Sequence, residues 1–273
     1  MDSVTLKALH RAAPRKRTLK LLKVSLVVLI ILLAKVAAHH FGLEPIKSNP
    51  LFTSLVASTV FLLGFLLNGV LSDFKESEKL PGELATSLEV LALEIQAISV
   101  HSPGAVVADC SALIVELGDS VVAFMLERIN AKALFHKVHQ CHKLVVKTST
   151  YLKGESPLKG RLMGEMATII RIINRIDTIR ETSFVPLVYW LAYLGTALLT
   201  VGLVLMKQES LVEHLFFIAV ISFLLLFLIR LIADIDNPFG YSDPDSAEDI
   251  ALDVLIQTIG RLRELRDGES APG

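Results

Sequence analysis

The sequence lacks the short motifs of the common enzyme classes. None of the patterns GxxxxGK[ST], GxSxG, HExxH and CxxC occurs among its 273 residues. These patterns are the local signatures of nucleotide hydrolysis, acyl transfer and zinc chemistry. We therefore predict that the chain is not an enzyme, and we expect no cofactor.

Cysteine is also scarce. The two cysteines, Cys110 and Cys141, lie in a central segment that contains thirteen basic residues. Because of these basic residues, the segment is expected to be cytoplasmic. Thiols stay reduced in that compartment, so a structural disulfide is not expected. We interpret both as small, buried, apolar residues.

The chain has little net charge and many apolar residues. Its formal charge is -1 at pH 7 and 52% of its residues are apolar, with a mean hydropathy of +0.57. Such a composition is too apolar for a soluble domain of this length, and we expect no nucleic-acid partner. The excess lies in four runs, each about as long as the roughly 20 residues that a membrane-spanning helix needs: residues 21–41, 51–71, 184–206 and 211–233.

The basic residues predict the orientation in the membrane. Residues 1–23 contain seven Lys and Arg and the central segment 73–183 contains thirteen, whereas each short connection contains one. The positive-inside rule then places both termini and the central segment in the cytoplasm. The expected location is the plasma membrane, or the inner membrane in a bacterium.

Charged residues near the ends of the spans are expected to have structural roles rather than to form ion sites. Lys35 lies near the outer end of the first run and Arg230 near the inner end of the fourth. Long side chains at such positions can extend to the headgroup region.

The central segment has a helical pattern. Apolar residues recur at helical spacing in residues 84–98, in 105–152, which we expect to form more than one helix, and in 158–182. No alternating pattern bounded by Asn-Gly or Asp-Gly predicts a strand pair. The predicted fold class is an all-α integral membrane protein with four transmembrane helices in two hairpins and a cytoplasmic helical bundle.

These predictions divide the chain into five parts. They are a basic cytoplasmic N-terminus (1–20), a first transmembrane hairpin (21–72), a cytoplasmic helical region (73–183), a second hairpin (184–235) and an acidic cytoplasmic tail (236–273).

A histidine-rich stretch, FHKVHQCH, suggests a metal site at first sight. On a helix, however, the spacing of His136, His139 and His142 turns the outer two about 120° apart, so the three cannot converge on one ion. We interpret them as a solvated or interfacial face.

The second apolar run has a face of distinct composition. Its residues follow one another at helical spacing: Ala57, Phe61, Gly64, Phe65 and Asn68. Small residues on one face are typical of packing between membrane helices. Around the axis of an oligomer, the same face would form a narrow apolar constriction of the kind that gates by dewetting. The spacing is compatible with both interpretations.

Three stretches of the chain resemble the bestrophin family of anion channels. They are FLLGFLLNGVLSDFKESEKLPG (61–82), IDTIRETSFVPLVYWLAYLG (176–195) and ADIDNPFGYSDPD (233–245). The order of two spans, a long cytoplasmic helical part, two spans and a tail is similar to that family as well. The resemblance covers most of the chain, and the NPFG turn is its most specific motif.

The resemblance implies a homopentamer with one central pore lined by the second span. Phe61 and Phe65 match the two neck phenylalanines of the family, and Ala57 stands in place of a bulkier neck residue, which implies a wider outer neck. The NPFG match implies a structural turn after the last span, formed by Asn237, Pro238, Phe239 and Gly240.

The chain departs from the family in two places. Ser72, Asp73, Phe74 and Lys75 follow the neck, where the family usually has paired tryptophans. After the NPFG turn, Pro244 interrupts the acidic cluster that helps animal members to bind calcium. Calcium needs several oxygens arranged together, so calcium control is not expected, and only weak metal candidates are left: Asp236, Asp243 and Asp245.

We therefore expect an oligomeric channel for passive conduction of chloride-like monovalent anions. Its partners would be further copies of the chain, the lipid bilayer and the anions. The alternative is a non-conducting membrane scaffold whose cytoplasmic helices bind a partner. Absence of ion flux from the purified protein would distinguish the scaffold.

Overall fold

The computed structural model describes residues 3–47, 49–98, 104–152, 157–181, 186–241 and 249–269, with side chains from residue 17 onwards except in 104–106 and 268–269. This part of the chain contains nine helices. They are α1 (Ser3–His40), α2 (Pro50–Ser77), α3 (Leu80–Ile98), α4 (Gly104–Met125), α5 (Ala131–Ser149), α6 (Pro157–Glu181), α7 (Pro186–Leu205), α8 (Leu211–Ile235) and α9 (Asp253–Glu269).

Four helical stretches are long and apolar enough to cross a membrane. They are Arg17–His40 in α1, the stretch Pro50–Ile98 that begins with α2, and the helices α7 and α8. The predicted all-α membrane fold is therefore confirmed. It has one small addition that the sequence pattern did not predict, a parallel pairing of two-residue strands, β1 (Ile46–Lys47) and β2 (Met206–Lys207).

Several helix ends follow from local chemistry. Pro50, Pro157 and Pro186 each occupy the first position of a helix, where the missing N–H costs nothing. At the end of α1, Gly42 adopts a φ of 68°, and the N–H of Leu43 donates to the carbonyl oxygen of Ala38 at 2.8 Å. This left-handed glycine cap ends the helix before the short connection to α2.

The predicted helical stretch 105–152 is divided between α4 and α5. Glu127 has a φ of 58°, and the N–H of Arg128 donates to the carbonyl oxygen of Ala123 at 2.8 Å. Asn130 then caps α5 by accepting from the N–H of Ala133 at 2.9 Å. The expectation of more than one helix is thus confirmed, with the break at residues 126–130.

One compact unit contains the spanning helices, in residues 3–74 and 186–238. In it α1 packs against α7 and α8, and α7 packs against α8. Its core combines buried residues of α2, α7 and α8, including Leu63, Leu66, Leu199, Ile218 and Leu225.

The second compact unit contains residues 75–181, 239–241 and 249–269. There α3 packs against α4, α6 and α9, while α5 packs against α4 and α6. Cys110 and Cys141 are buried and unoxidised, as expected. Burial raises the pKa of both thiols, that of Cys141 to about 12. The three histidines of α5 are exposed, and no group of His, Cys, Asp and Glu that could hold a metal occurs among the described residues.

Two glycines of α7 meet α2 at different distances, which predicts a difference in tolerance. A Cβ atom at Gly202 would lie 2.7 Å from Cε2 of Phe52, whereas one at Gly195 would lie 3.6 Å from Oγ1 of Thr59. We expect Gly202→Ala to displace the Phe52 ring and to lower the free energy of unfolding by about 1–3 kcal/mol. Gly195→Ala should be neutral or slightly stabilising, because alanine favours a helix. Melting followed by circular dichroism in detergent measures both, and equal melting temperatures would contradict the close contact.

Candidate functional site

The helix α2 has one side that is fixed in the core of its unit. Leu63, Leu66 and Val70 are at most 1% exposed and pack with residues of α7 and α8. Thr59 continues this buried side by one turn, and its hydroxyl donates to the carbonyl oxygen of Leu55 at 2.9 Å, so that its polarity is satisfied within the helix. Packing on this side determines how the helix is rotated about its axis.

The opposite side of α2 carries the predicted neck residues. Ala57, Phe61, Gly64, Phe65 and Asn68 are all exposed. Phe61 is 76% exposed and Phe65 is 63% exposed, and a Cβ atom at Gly64 would meet no atom within 4 Å. The structure therefore brings the five residues together on one free face of the helix.

The turn after α8 contains the NPFG motif. The helix ends at Ile235, and Asp236 caps it with a backbone N–H that donates to the carbonyl oxygen of Ile232 at 3.0 Å. Asn237 is exposed, whereas Pro238, Phe239 and Gly240 are buried. Asp243 and Asp245 lie outside the described residues, and Asp236 belongs to no potential metal-binding group among the residues that are described.

The side chain of Lys35 is enclosed by the protein. It is 1% exposed, and its ammonium donates to Oε1 of Glu44 at 2.6 Å, to the carbonyl oxygen of Met206 at 2.6 Å and to that of Val204 at 3.3 Å. All three N–H groups thus have acceptors within the protein. These acceptors come from the connection after α1, from α7 and from Met206 just beyond it.

The carboxylate of Glu44 joins this cluster to His39. Nδ1 of His39 donates to Oε1 at 3.1 Å and Oε2 at 3.2 Å. The hydrogen bond from Lys35 holds the pKa of Glu44 below its ordinary value of 4.5. The carboxylate is therefore ionised at neutral pH and balances the buried ammonium.

The end of α7 is satisfied by side chains from two other helices. Buried His214 of α8 donates from Nε2 to the carbonyl oxygen of Leu203 at 3.0 Å. Lys35 of α1 donates to the carbonyl oxygens of Val204 and Met206. The last carbonyl groups of a helix have no partner within it and carry the negative end of the helix dipole. A cation and a ring N–H are the groups that such an end favours.

Near the other end of its apolar span Arg17–His40, α1 is linked to α8. Nζ of Lys20 lies 2.5 Å from Oδ1 of Asp234, whose side chain is 5% exposed. Lys20 and Lys35 are about 22 Å apart along the helix at 1.5 Å per residue. The first span is thus held to the second hairpin by a charge pair near each end.

Sequence reasoning missed the cluster around Lys35 and the role of His214. The available signal was a lysine late in an apolar run, followed nine residues later by the lone glutamate of the short connection. Complementary charges at that distance could have indicated a pair across the turn. The carbonyl acceptors of Val204 and Met206 left no signal, because they depend on packing between distant parts of the chain.

Comparison with known proteins places this fold beside solved membrane-protein structures. No protein-family model and no curated protein sequence matches the chain. The crystal structure of a bacterial bestrophin homologue from Klebsiella pneumoniae is similar, with 16% identity, 92% of this chain and 98% of that chain covered, and a TM-score of 0.66. Two point variants of that homologue match at 15% and 16% identity, with 91% of this chain and 99% and 97% of theirs covered and TM-scores of 0.72 and 0.69. The predicted resemblance is confirmed at the level of the fold.

The Glu44 carboxylate gives a pH-dependent prediction. Glu44→Gln keeps the size of the side chain but leaves the Lys35 ammonium without a counter-charge, so we expect the free energy of unfolding at pH 7 to fall by about 2 kcal/mol. Because the folded pKa lies below 4.5, the stabilisation is complete above that pH and is lost as the pH falls through the folded value. Melting temperatures of the wild type and the variant between pH 7 and pH 3 should therefore converge at acid pH.

The matched control is Glu209→Gln, which changes an exposed glutamate in the other short connection. It should leave the melting temperature unchanged at each pH. A Glu44→Gln variant as stable as this control at pH 7, or a difference that does not narrow as the pH falls, would contradict the role assigned to the carboxylate.

Proposed function

We propose that this chain belongs to the bestrophin family and forms an oligomeric membrane channel that conducts chloride-like monovalent anions passively. The observation that carries the proposal is the exposed face of α2, with Phe61, Phe65 and Asn68 on one side of a helix whose other side is fixed in the core. The shared fold supports it, since the similarity to the bacterial bestrophin homologue covers 92% of this chain and 98% of that chain.

Asn68 favours water or protein over lipid as the surroundings of this face. Its amide has two donor hydrogens and an acceptor oxygen, and burial of such a group without partners costs several kcal/mol. In the hydrocarbon core of a bilayer no partner would be available. An aqueous axis, or the same face of a neighbouring copy, would provide one.

Assembly around an axis would turn the face into a constriction. Because core packing fixes the rotation of α2, each copy presents the same residues, and a closed ring of copies would bring them together. Phe61 and Phe65 would then form the neck, with Ala57 at a wider outer end. Phenylalanine ring edges carry partial positive charge and can face a partly dehydrated anion.

The remaining parts of the chain take their roles from this arrangement. We place both termini, residues 73–183 and the tail from 236 in the cytoplasm, and the two hairpins, 21–72 and 184–235, in the plasma membrane. The turn Asn237–Gly240 connects the last span to the tail, and the burial of Phe239 supports a structural role for it. No metal or other cofactor is part of the proposed conduction path.

The neck is tested by removing both rings. We expect the double variant Phe61→Ala and Phe65→Ala to change single-channel conductance or open probability in planar bilayers by about threefold or more, because the constriction is widened and no longer dewets. The matched control replaces Phe216 and Phe217 of α8, two exposed phenylalanines on another span, by alanine. Unchanged currents in the neck variant, or equal changes in the control, would remove the main support.

The number of subunits is tested independently of conduction. Each chain has a mass of 29.9 kDa, so a pentamer has a mass of about 150 kDa by the symmetry proposed. Native mass spectrometry of the detergent-purified protein should show five chains. A monomer or dimer would overturn the channel, whereas a pentamer without chloride flux in liposomes would favour the scaffold.

A further inference from the structure

The last five residues of α2 include all the charged residues of that helix. They are Asp73, Lys75 and Glu76. Lys75 follows Asn68 by seven residues and Phe61 by fourteen. Seven residues of an α-helix complete two turns less about 20°. Lys75 therefore lies on the face that carries Phe61 and Asn68, about 20 Å further along the helix than Phe61.

The two acidic residues are directed elsewhere or are paired. Asp73 precedes Lys75 by two residues and so lies about 160° away around the helix. Glu76 accepts from Nε and Nη2 of Arg175 at 2.7 and 2.6 Å, a two-pronged pair that balances its charge. Lys75 is exposed. All residues of α2 are described, and neither of its two acidic residues lies beside Lys75 on this face.

We propose that Lys75 concentrates anions at the inner end of the α2 face and sets the preference of the channel for anions over cations. The inference rests on the proposed function, because it needs the faces of several copies around one axis. In such an assembly each copy contributes one ammonium to a ring. Rings of lysine or arginine are a general means of anion selection in pores.

The physical effect is electrostatic and is therefore sensitive to salt. An exposed lysine is protonated at neutral pH, and at 0.15 M salt its charge acts over a Debye length of about 8 Å. A ring of such charges raises the local concentration of anions and lowers that of cations. At 1 M salt the Debye length falls to about 3 Å, and the preference should weaken.

The test measures reversal potentials in planar bilayers across a tenfold KCl gradient. We expect Lys75→Gln to lower the permeability ratio of chloride to potassium by about threefold or more and Lys75→Glu to lower it further, while Lys75→Arg should keep it. The loss should be smaller when both solutions contain high salt, which a merely structural role would not cause. The control Lys143→Gln changes an exposed lysine of α5 and should leave the ratio unchanged.

A second route restores charge after folding and covers the case of variants that fold poorly. A Lys75→Cys variant can be modified with cationic or anionic methanethiosulfonate reagents, in which the protein thiolate forms a disulfide and a sulfinate leaves. The native cysteines are buried with raised pKa values, so they should react slowly. We expect the cationic reagent to restore the chloride preference and the anionic reagent to lower it.

The outcomes separate this inference from the function on which it rests. If the wild type conducts and the Gln, Glu and modified Cys variants keep its permeability ratio, Lys75 does not set selectivity, although the channel stands. An equal loss in Lys143→Gln would also overturn the assignment to Lys75. If the folded wild-type oligomer gives no current, both the channel and the role of Lys75 are overturned.

Discussion

The arrangement of the spanning helices depends on the buried ammonium of Lys35. An unpaired ammonium in apolar surroundings costs several kcal/mol, so the chain is stable only where all three of its N–H groups find acceptors. Glu44 and the end of α7 provide them, which fixes α1 against the second hairpin. Lys20 is bound to Asp234 near the other end of the first span. The apolar residues of α1 between the two charge pairs then contribute through van der Waals packing alone.

The packing of α7 and α8 in turn determines which side of α2 is free. Leu63, Leu66 and Val70 share one core with residues of α7 and α8, and Gly202 of α7 leaves room for the Phe52 ring. A helix fixed along one stripe has a defined rotation about its axis. The exposure of Phe61 and Phe65 is thus a consequence of contacts on the opposite side of the helix, and it would be the same in every copy of the chain.

The parts of this structure that could be predicted from sequence are those with local causes. A span needs about 20 apolar residues in a row, and the face of α2 follows from helical periodicity alone. The acceptors of Lys35 could not be predicted, because Met206 is 171 residues away and is brought near only by folding. The position of the break after α4 could not be predicted either, because Glu127 adopts a left-handed conformation in which Gly or Asn is usual.

Fold and selectivity make different demands on the sequence, which is why an identity of 14–16% accompanies a TM-score near 0.7. Many sequences satisfy span length and core packing, whereas selection between ions depends on a few side chains along one face. In this chain the charges of α2 lie only among its last five residues, where the sequence has no tryptophan pair. If α2 lines a pore, the ring edges of its phenylalanines carry only partial positive charge, so the constriction distinguishes anions from cations only weakly. That distinction then depends on the polar and charged residues beyond it, from Asn68 to Lys75.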